Sequence, residues 1–414
     1  MKILQGALMR IKPSKEEESS MRTKVDGFLK KIRRNLKGAK AVLGGSGAKG
    51  TWLKNAGDAD IFVCFDYKKF RDKSDLLADI LEKTLKRSFK NVQRLHGSRD
   101  YFQIREGHFT FEIVPILSIP NARQAVNITD VSPLHSKWVR KHARYADDIR
   151  LMKQFCKSAG VYGAESYING FSGYVCEVLV IHHKGFLPLV RAAAKWGDKV
   201  IVDPEKRYSK KNILLELNTS KTQGPLVIAD PVQPGRNSAA AVSPEKFECF
   251  KEHCRQFLKR PSVPFFEEHP VSAEAFRKKK KGNLLAILDI AAPAGKRDVV
   301  GCKLLAMFEQ IAADLTRHEF KVTGKEWSWD KKKKAQFYFM VGPKPLPKER
   351  VQEGPPLEME KHAEIFRKKH DATFAKNGRI YANVKRPFTT VDGYFTSLMQ
   401  DNPFECKITD VVVE

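Results

Sequence analysis

Cysteine is scarce in this chain, with seven residues in 414, at positions 64, 156, 176, 249, 254, 302 and 406. Their odd number and the absence of CxxC spacing argue against a disulfide framework or a zinc site. His253 with Cys249 and Cys254 is the one cluster of metal-like composition, yet two thiols and one imidazole on a short helical stretch do not close a tetrahedral site. Long apolar runs are missing too: nothing approaches the roughly 18 uncharged residues of a membrane span. The opening MKILQGALMR carries an apolar patch shorter than a secretory h-region and no small-residue cleavage site. A protein that crosses no membrane and stays in the cytoplasm is therefore expected.

Acidic residues are also short. Against 75 Lys and Arg stand 48 Asp and Glu, a formal charge of +27. A field of that size attracts polyanions and favours contacts that release counterions from phosphates, so nucleic acid is the leading partner. A lysine-rich solvated surface is the plainer explanation, and the position of the charges has to decide. Hydrophobic content of 42% and charged content of 30% fit a folded protein. A length of 414 residues exceeds one hydrophobic core and predicts two to four domains.

Along the chain, residues 16–37 have helical periodicity through Met21, Val25, Phe28, Leu29, Ile32 and Leu36, with Gly38 as the expected C-cap. A strand is predicted over Lys40 to Leu43, then a Gly/Ser turn, a short helix from about Gly47 and a strand from Asp58 to Phe65. A helix over Ser74 to Ser88 and strands over Tyr101 to Arg105 and His108 to Leu117 complete an α/β domain with a mixed sheet, ending near residue 142. From Ala146 to Leu258 the pattern is mainly helical, strongest at Ile149–Lys157, Ser172–His182 and Leu187–Trp196, with a Pro/Gly/Asn-rich loop at 221–243. Beyond the Pro-marked segment 261–270, Asn283 to Ile290 reads as a buried strand, Val299 to Thr316 as an amphipathic helix and Gln336 to Val341 as another strand. That is an α+β domain, with 344–414 continuing it or forming a fourth. The lysine runs Arg277–Lys281 and Lys331–Lys334 are expected as loops or strand edges.

The chemistry concentrates in LGGSGAKGTWLKNAGDADIFVCF (43–65). Side chains at i and i+2 of a strand share a face, so Asp58 and Asp60 point the same way and can together hold divalent cations. The glycines of Gly44-Gly45-Ser46 let backbone N–H groups approach phosphate oxygens, and the Ser46 hydroxyl adds a donor at the start of a helix. Glu112, in the apolar strand HFTFEIVPIL, is a third carboxylate that would be costly if left unpaired. Alone, a DxD or a Gly-Gly-Ser is commonly a surface pair or a turn. The ordered set is far more specific.

That set resembles the DNA polymerase β nucleotidyltransferase superfamily. SPLHSKWV (132–139), RLMKQFCKSAGVYGAESYINGFSGYVCEVLVI (150–181) and DPVQPGRNSAAAVS (230–243) are similar, in order, to stretches of archaeal, class I CCA-adding enzymes. The resemblance runs clearly from about 42 to 266 and more weakly beyond. It implies a nucleotidyltransferase head at 1–142, a helical neck at 143–260, and an RNA-binding body and tail at 261–414. It places Asp58, Asp60 and Glu112 on the catalytic, metal-binding carboxylates. Gly45, Ser46 and Lys49 fall on the triphosphate turn, Ser132, His135, Lys153 and Tyr162 on ribose and phosphate contacts, and Arg236 and Asn237 on residues reading the incoming base. The chain departs from the family where Asp58 and Glu112 exchange the usual Glu and Asp, where Gly47 and Lys49 replace an aromatic and an arginine, and throughout the tail.

The resemblance implies template-independent addition of CMP, CMP and AMP to the 3′ end of tRNA, from CTP and ATP with two Mg²⁺ ions. A poly(A) polymerase or oligoadenylate synthetase would share the GS and DxD machinery, and an inactive head on an RNA-binding protein is the rival from outside enzymology. The sequence leaves the oligomeric state open, with a homodimer among the options.

Overall fold

Ser14 accepts a hydrogen bond from the Glu17 backbone while the Glu17 side chain accepts from the Ser14 N–H. This capping box starts helix α2 (Lys15–Asn35), which buries Val25, Phe28, Leu29 and Ile32 on one side. The helix forms where the apolar spacing predicts, and its buried side covers a sheet. The computed structural model describes residues 2–208, 213–217 and 219–414. It divides into two units, Met1–His269 and Pro270–Glu414.

In the first unit, α1 (Lys2–Ile11) and α2 precede β1 (Ala39–Leu43), α3 (Gly45–Lys49), β2 (Asp58–Asp66), α4 (Tyr67–Phe70) and α5 (Leu77–Ser88). Then come β3 (Gln93–Leu95), β4 (Tyr101–Glu106) and β5 (Phe109–Ser118). The five strands lie in the order β1-β2-β5-β4-β3, with β2 and β5 parallel and the other pairs antiparallel. The mixed sheet is thus as expected, and α5 begins three residues later than predicted, after a 3-10 turn over Arg71–Leu76. Alternation along β2 and β5 puts Ala59, Ile61, Val63, Phe65, Phe109, Phe111, Ile113 and Leu117 into a core with α2 and α5. The opposite face keeps Asp58, Asp60 and Glu112.

The rest of the unit is built from α6 (Ser132–Arg140), α7 (Ala146–Ser158), α8 (Gly173–His183), α9 (Phe186–Ala193), β6 (Val200–Val202), α10 (Ile213–Glu216), β7 (Leu226–Ile228) and α11 (Pro244–Lys259). Helix α8 buries every residue from Val175 through Ile181, all of them apolar except Glu177. A helix with that pattern belongs in the middle of a helical layer. Around it Met152, Phe155, Phe186, Phe250 and Phe257 form a second core, which also takes Ala7 and Ile11 of α1. The first helix of the chain therefore packs on the helical layer and not on the sheet that follows it in sequence. The short parallel pair β6–β7 lies inside a stretch that reads as helix and loop. His253 is tied to Ser158, and burial pulls its imidazole down to about 4. Among the described residues no group of three or more His, Cys, Asp or Glu side chains converges closely enough to hold a metal ion, this His/Cys cluster included.

The second unit holds α12 (Ala273–Lys279), β8 (Leu284–Ala291), α13 (Arg297–Arg317), β9 (Val322–Trp329), β10 (Lys334–Val341), β11 (Glu349–Pro356), α14 (Glu360–Lys369), β12 (Thr373–Lys376), β13 (Arg379–Lys385), α15 (Val391–Gln400) and β14 (Lys407–Val413). An antiparallel sheet β14-β8-β10-β9 packs on α13 and α15, and β11-β13-β12 form a separate three-stranded sheet. The C-terminal strand returns to pair with β8, so the residues beyond 344 both extend the α+β core and add a second sheet. One expectation is corrected here: Arg277–Lys279 is neither loop nor strand edge but the last turn of α12. Ser272 caps that helix, Phe276 stacks on Tyr338, and cations at its C-terminus are favoured by the helix dipole. Lys334 opens β10, as expected of a basic strand edge.

Candidate active site

The Gly-Gly-Ser turn is shaped by the strand that carries the aspartates. Gly44 donates its N–H to the Asp60 carbonyl at 2.7 Å. A Cβ on Gly44 would stand 2.4 Å from the Phe62 ring, and one on Gly45 would stand 1.6 Å from Asp60 Oδ2. Gly45 also has φ +52, where a side chain is strained. The two glycines thus let the turn lie directly against the Asp60 carboxylate. Helix α3 follows, carrying Ser46 in its first turn and Lys49 at its end, and it packs on β2 and α6.

Asp60 pairs in register with Glu112 across the parallel β2–β5 ladder, and Asp58 precedes it by two positions on the same face. Burial together with the charges of Glu112 and Asp58 raises the Asp60 carboxyl to about 6, against the opposing pull of Lys49 and Lys153. Glu112 accepts a hydrogen bond from Gln103 Nε2 at 2.7 Å. Three hard oxygen donors on one sheet face, mutually repelling and pressed against a glycine turn, have the chemistry that suits a divalent cation. They are not a preformed cage, since no converging group of three occurs among the described residues. Asp58, Asp60 and Glu112 are the groups that would hold such an ion.

Facing them are side chains from the helical layer of the same unit. Lys153 donates to Thr51 Oγ1 at 2.9 Å, to Glu177 Oε1 at 2.8 Å and, more weakly, to the Thr51 carbonyl at 3.4 Å. Lys49 donates to Glu177 Oε2 at 2.8 Å and lies 5.4 Å from the Tyr174 ring centre. Although burial opposes its ionisation, Glu177 is held down to about 2 by Lys153 and Lys49. Tyr162 is half-buried beneath the Lys157 ammonium, its hydroxyl packed where a Cβ on Gly173 would come within 2.9 Å. Burial pushes its phenol well above the ordinary range.

A second network is centred on Asp230. His135 Nε2 lies 3.1 and 3.2 Å from its two oxygens, and the Asp230 carboxylate also accepts from Tyr174 Oη, Arg236 Nη1, Ser238 Oγ and the backbone N–H groups of Val232 and Gln233. Against the desolvation imposed by burial, His135 and those N–H groups hold its carboxyl well below the usual range. Arg236, Asn237, Gln233 and Ser172 line a cleft of about 470 Å³. Ser132 starts α6, with its carbonyl accepting from Ser136 Oγ.

The structure thus brings Asp58, Asp60 and Glu112 to one face, and Gly45, Ser46, Lys49 and Lys153 to one neighbourhood. His135 and Arg236 meet on Asp230. Asn237 behaves differently from a base-reading side chain: its Oδ1 accepts from Ile228 and Ala239, and its Nδ2 donates to the Lys221 and Leu226 carbonyls. All its valences are spent on the loop. Sequence reasoning passed over Glu177, Asp230, Tyr174 and Thr51. Glu177 stands alone as an acid in YVCEVLVI and Asp230 in LVIAD, the same lone-acid signal that singled out Glu112.

A mixed sheet with this DxD strand, a glycine turn against it and a helical layer opposite defines a nucleotidyltransferase, and known proteins agree. The family model described as nucleotidyltransferase domain matches residues 25–106. The structure of the Cid1 poly(U) polymerase superposes with a TM-score of 0.50 at 17% identity, covering 65% of this chain and 98% of that one, which supports the fold alone. Residues 147–267 match the model of the tRNA nucleotidyltransferase second domain, and 281–405 that of the CCA-adding enzyme C-terminal domain. The CCA-adding enzyme of Nanoarchaeum equitans is 32% identical over 92% of each chain. That of Methanosarcina barkeri is 30% identical over 97% of this chain and 89% of its own. This chain belongs to the CCA-adding enzymes. It is an enzyme of the nucleotidyltransferase class, whose members work with divalent metal ions. No helix among the described residues is long and apolar enough to cross a membrane.

Proposed function

We propose that this enzyme completes the 3′ end of tRNA, transferring CMP twice from CTP and AMP once from ATP without a template. The observation that carries this is the Asp60–Glu112 register pair with Asp58 on the same face, set against the Gly45–Ser46 turn. Asp58, Asp60 and Glu112 would hold two Mg²⁺ ions, which supply charge neutralisation at the attacking 3′-hydroxyl and the departing pyrophosphate. The backbone of the Gly44–Ser46 turn, the Ser46 hydroxyl and the α3 N-terminus donate to the triphosphate, with the Lys49 ammonium beside them. Ser132 and the His135–Asp230 pair bound the sugar side, and Tyr162 closes the site behind Gly173. With its Nη1 on Asp230, Arg236 offers its remaining donors into the cleft, where they suit the acceptors N3 and O2 of cytosine and N1 of adenine. Asn237 fixes the loop that presents it.

In this reading residues 1–142 are the catalytic head, 143–260 the neck, and 261–414 the RNA-binding body and tail, with α1 docked on the neck. The lysines of the last segment hold the acceptor stem by phosphate and shape. Incubating the protein with Mg²⁺, tRNA lacking its CCA end, and labelled CTP and ATP tests the proposal. Growth by three nucleotides in the order C, C, A is expected. Long homopolymer tails, or RNA binding without incorporation, would overturn it.

A further inference from the structure

Helix α8 contains a single acid, Glu177, and it is 1% exposed among Val175, Cys176, Val178 and Leu179. Burying an ion pair rarely adds stability over apolar packing of the same volume, so stability alone gives little reason for a carboxylate there. Its partners suggest what else it does. Glu177 Oε1 accepts from Lys153 Nζ and Thr51 Oγ1, while Oε2 accepts from Lys49 Nζ. Lys49 is the last residue of α3, the helix that begins at the Gly-Ser turn, and Thr51 follows two residues later. Arg150 braces the same segment, donating to the Gly50 and Trp52 carbonyls at 2.7 and 3.0 Å.

The hydrogen count separates the two lysines. An ammonium has three N–H donors. Lys153 directs its three to Glu177, Thr51 Oγ1 and the Thr51 carbonyl. Lys49 directs one to Glu177 and retains two, and both lysines act electrostatically on Asp60. The cluster of two cations and one anion therefore keeps a net positive charge beside the Gly-Ser turn, with Lys49 as the member able to donate further.

We propose that Glu177 is the positioning residue of the triphosphate site: by clamping Lys49 Nζ from behind, with Lys153 and Thr51 as the counter-brace, it aims the two remaining Lys49 donors at the nucleotide's β- and γ-phosphates. A lysine on a four-carbon stem is otherwise a mobile point charge, whereas a clamped one has lost its rotamer freedom before the nucleotide arrives. This rests on the reading of the Gly-Ser turn as the triphosphate site.

The test is a double-mutant cycle on the full chain, with saturating tRNA lacking its CCA end, reading KM and kcat for CTP and inhibition by pyrophosphate. Lys49→Ala and Glu177→Gln should each raise KM about tenfold, the scale of one lost charged hydrogen bond, and weaken pyrophosphate inhibition in parallel while kcat changes less. The double variant should resemble either single one, because Glu177 works only through Lys49. Effects that multiply towards a hundredfold, or an unchanged KM in Glu177→Gln, would overturn the inference. If Lys49→Ala alone leaves KM and pyrophosphate inhibition untouched, the triphosphate reading of the turn fails first. Should Glu177→Gln not fold, Glu177→Asp makes the same decision: its shortened reach raises KM if Lys49 is clamped and leaves it unchanged if the carboxylate only fills space.

Discussion

Replacing Asp60 with asparagine should stabilise the metal-free protein, and the size of the gain follows from its surroundings. Burial and the neighbouring Glu112 and Asp58 raise its carboxyl from 3.8 to about 6. Between about pH 4 and 6 the native chain holds this proton more tightly than the unfolded chain, so native stability falls as pH rises through that window. Above about 6 the cost of the ionised carboxylate stays constant. At about 1.4 kcal/mol per pKa unit the shift amounts to roughly 3 kcal/mol, and partial access to solvent screens it towards roughly 1–2 kcal/mol. Asparagine does not ionise. The difference between variant and wild type should therefore be near zero at pH 4 and grow to a plateau above pH 6, roughly 2–4 °C in the melting of the first unit. Scanning calorimetry of the full chain in chelator, at several pH values, reads that difference directly, and the pH responses of groups distant from Asp60 cancel in it. Millimolar Mg²⁺ should then raise the wild type and close the gap, because the ion binds the native carboxylates and not asparagine. A difference that is flat with pH, or a variant less stable than wild type at pH 7.5, would refute the account of three repelling carboxylates.

Gly45→Ala should abolish nucleotide incorporation while the protein stays folded, since the new Cβ would stand 1.6 Å from Asp60 Oδ2 and must displace it. Full activity in a primer-extension assay would show that the turn does not depend on that close approach. Arg236→Ala should leave the Asp230 network standing, because His135, Tyr174, Ser238 and two backbone N–H groups still satisfy it. Misincorporation of U or G should rise relative to C and A by a factor corresponding to roughly 1–3 kcal/mol, read as relative kcat/KM for the four triphosphates. An equal fall for all four would make the arginine a loop anchor only. Neutralising Lys278–Lys281 should weaken tRNA binding and flatten its salt dependence by about one log–log unit per lost phosphate contact, and an unchanged slope would leave the run as solvated surface.

Local chemistry already present in the chain order determined much of this protein. The period-2 pattern of 58–65 and 108–117 places the aspartates and Glu112 on the face away from the apolar core, whatever partners those strands take. The apolar spacing of 16–37 likewise specifies a helix with one buried side, which the structure shows as Lys15–Asn35. What no such pattern carries is which strand lies beside which. The parallel register of Asp60 with Glu112 is a contact across 52 positions, set by how two sheet faces and two helices pack. Likewise α1 docks on the helical layer, beyond the sheet domain that follows it, because Ala7 and Ile11 find their complement among α7 and its neighbours. Lys49 falls on the triphosphate turn by resemblance alone, and Glu177, 128 positions away, carries no signal that links it to that lysine. Only the tertiary structure makes them one ion pair, since a buried charge acquires its meaning from the partner that packing delivers to it.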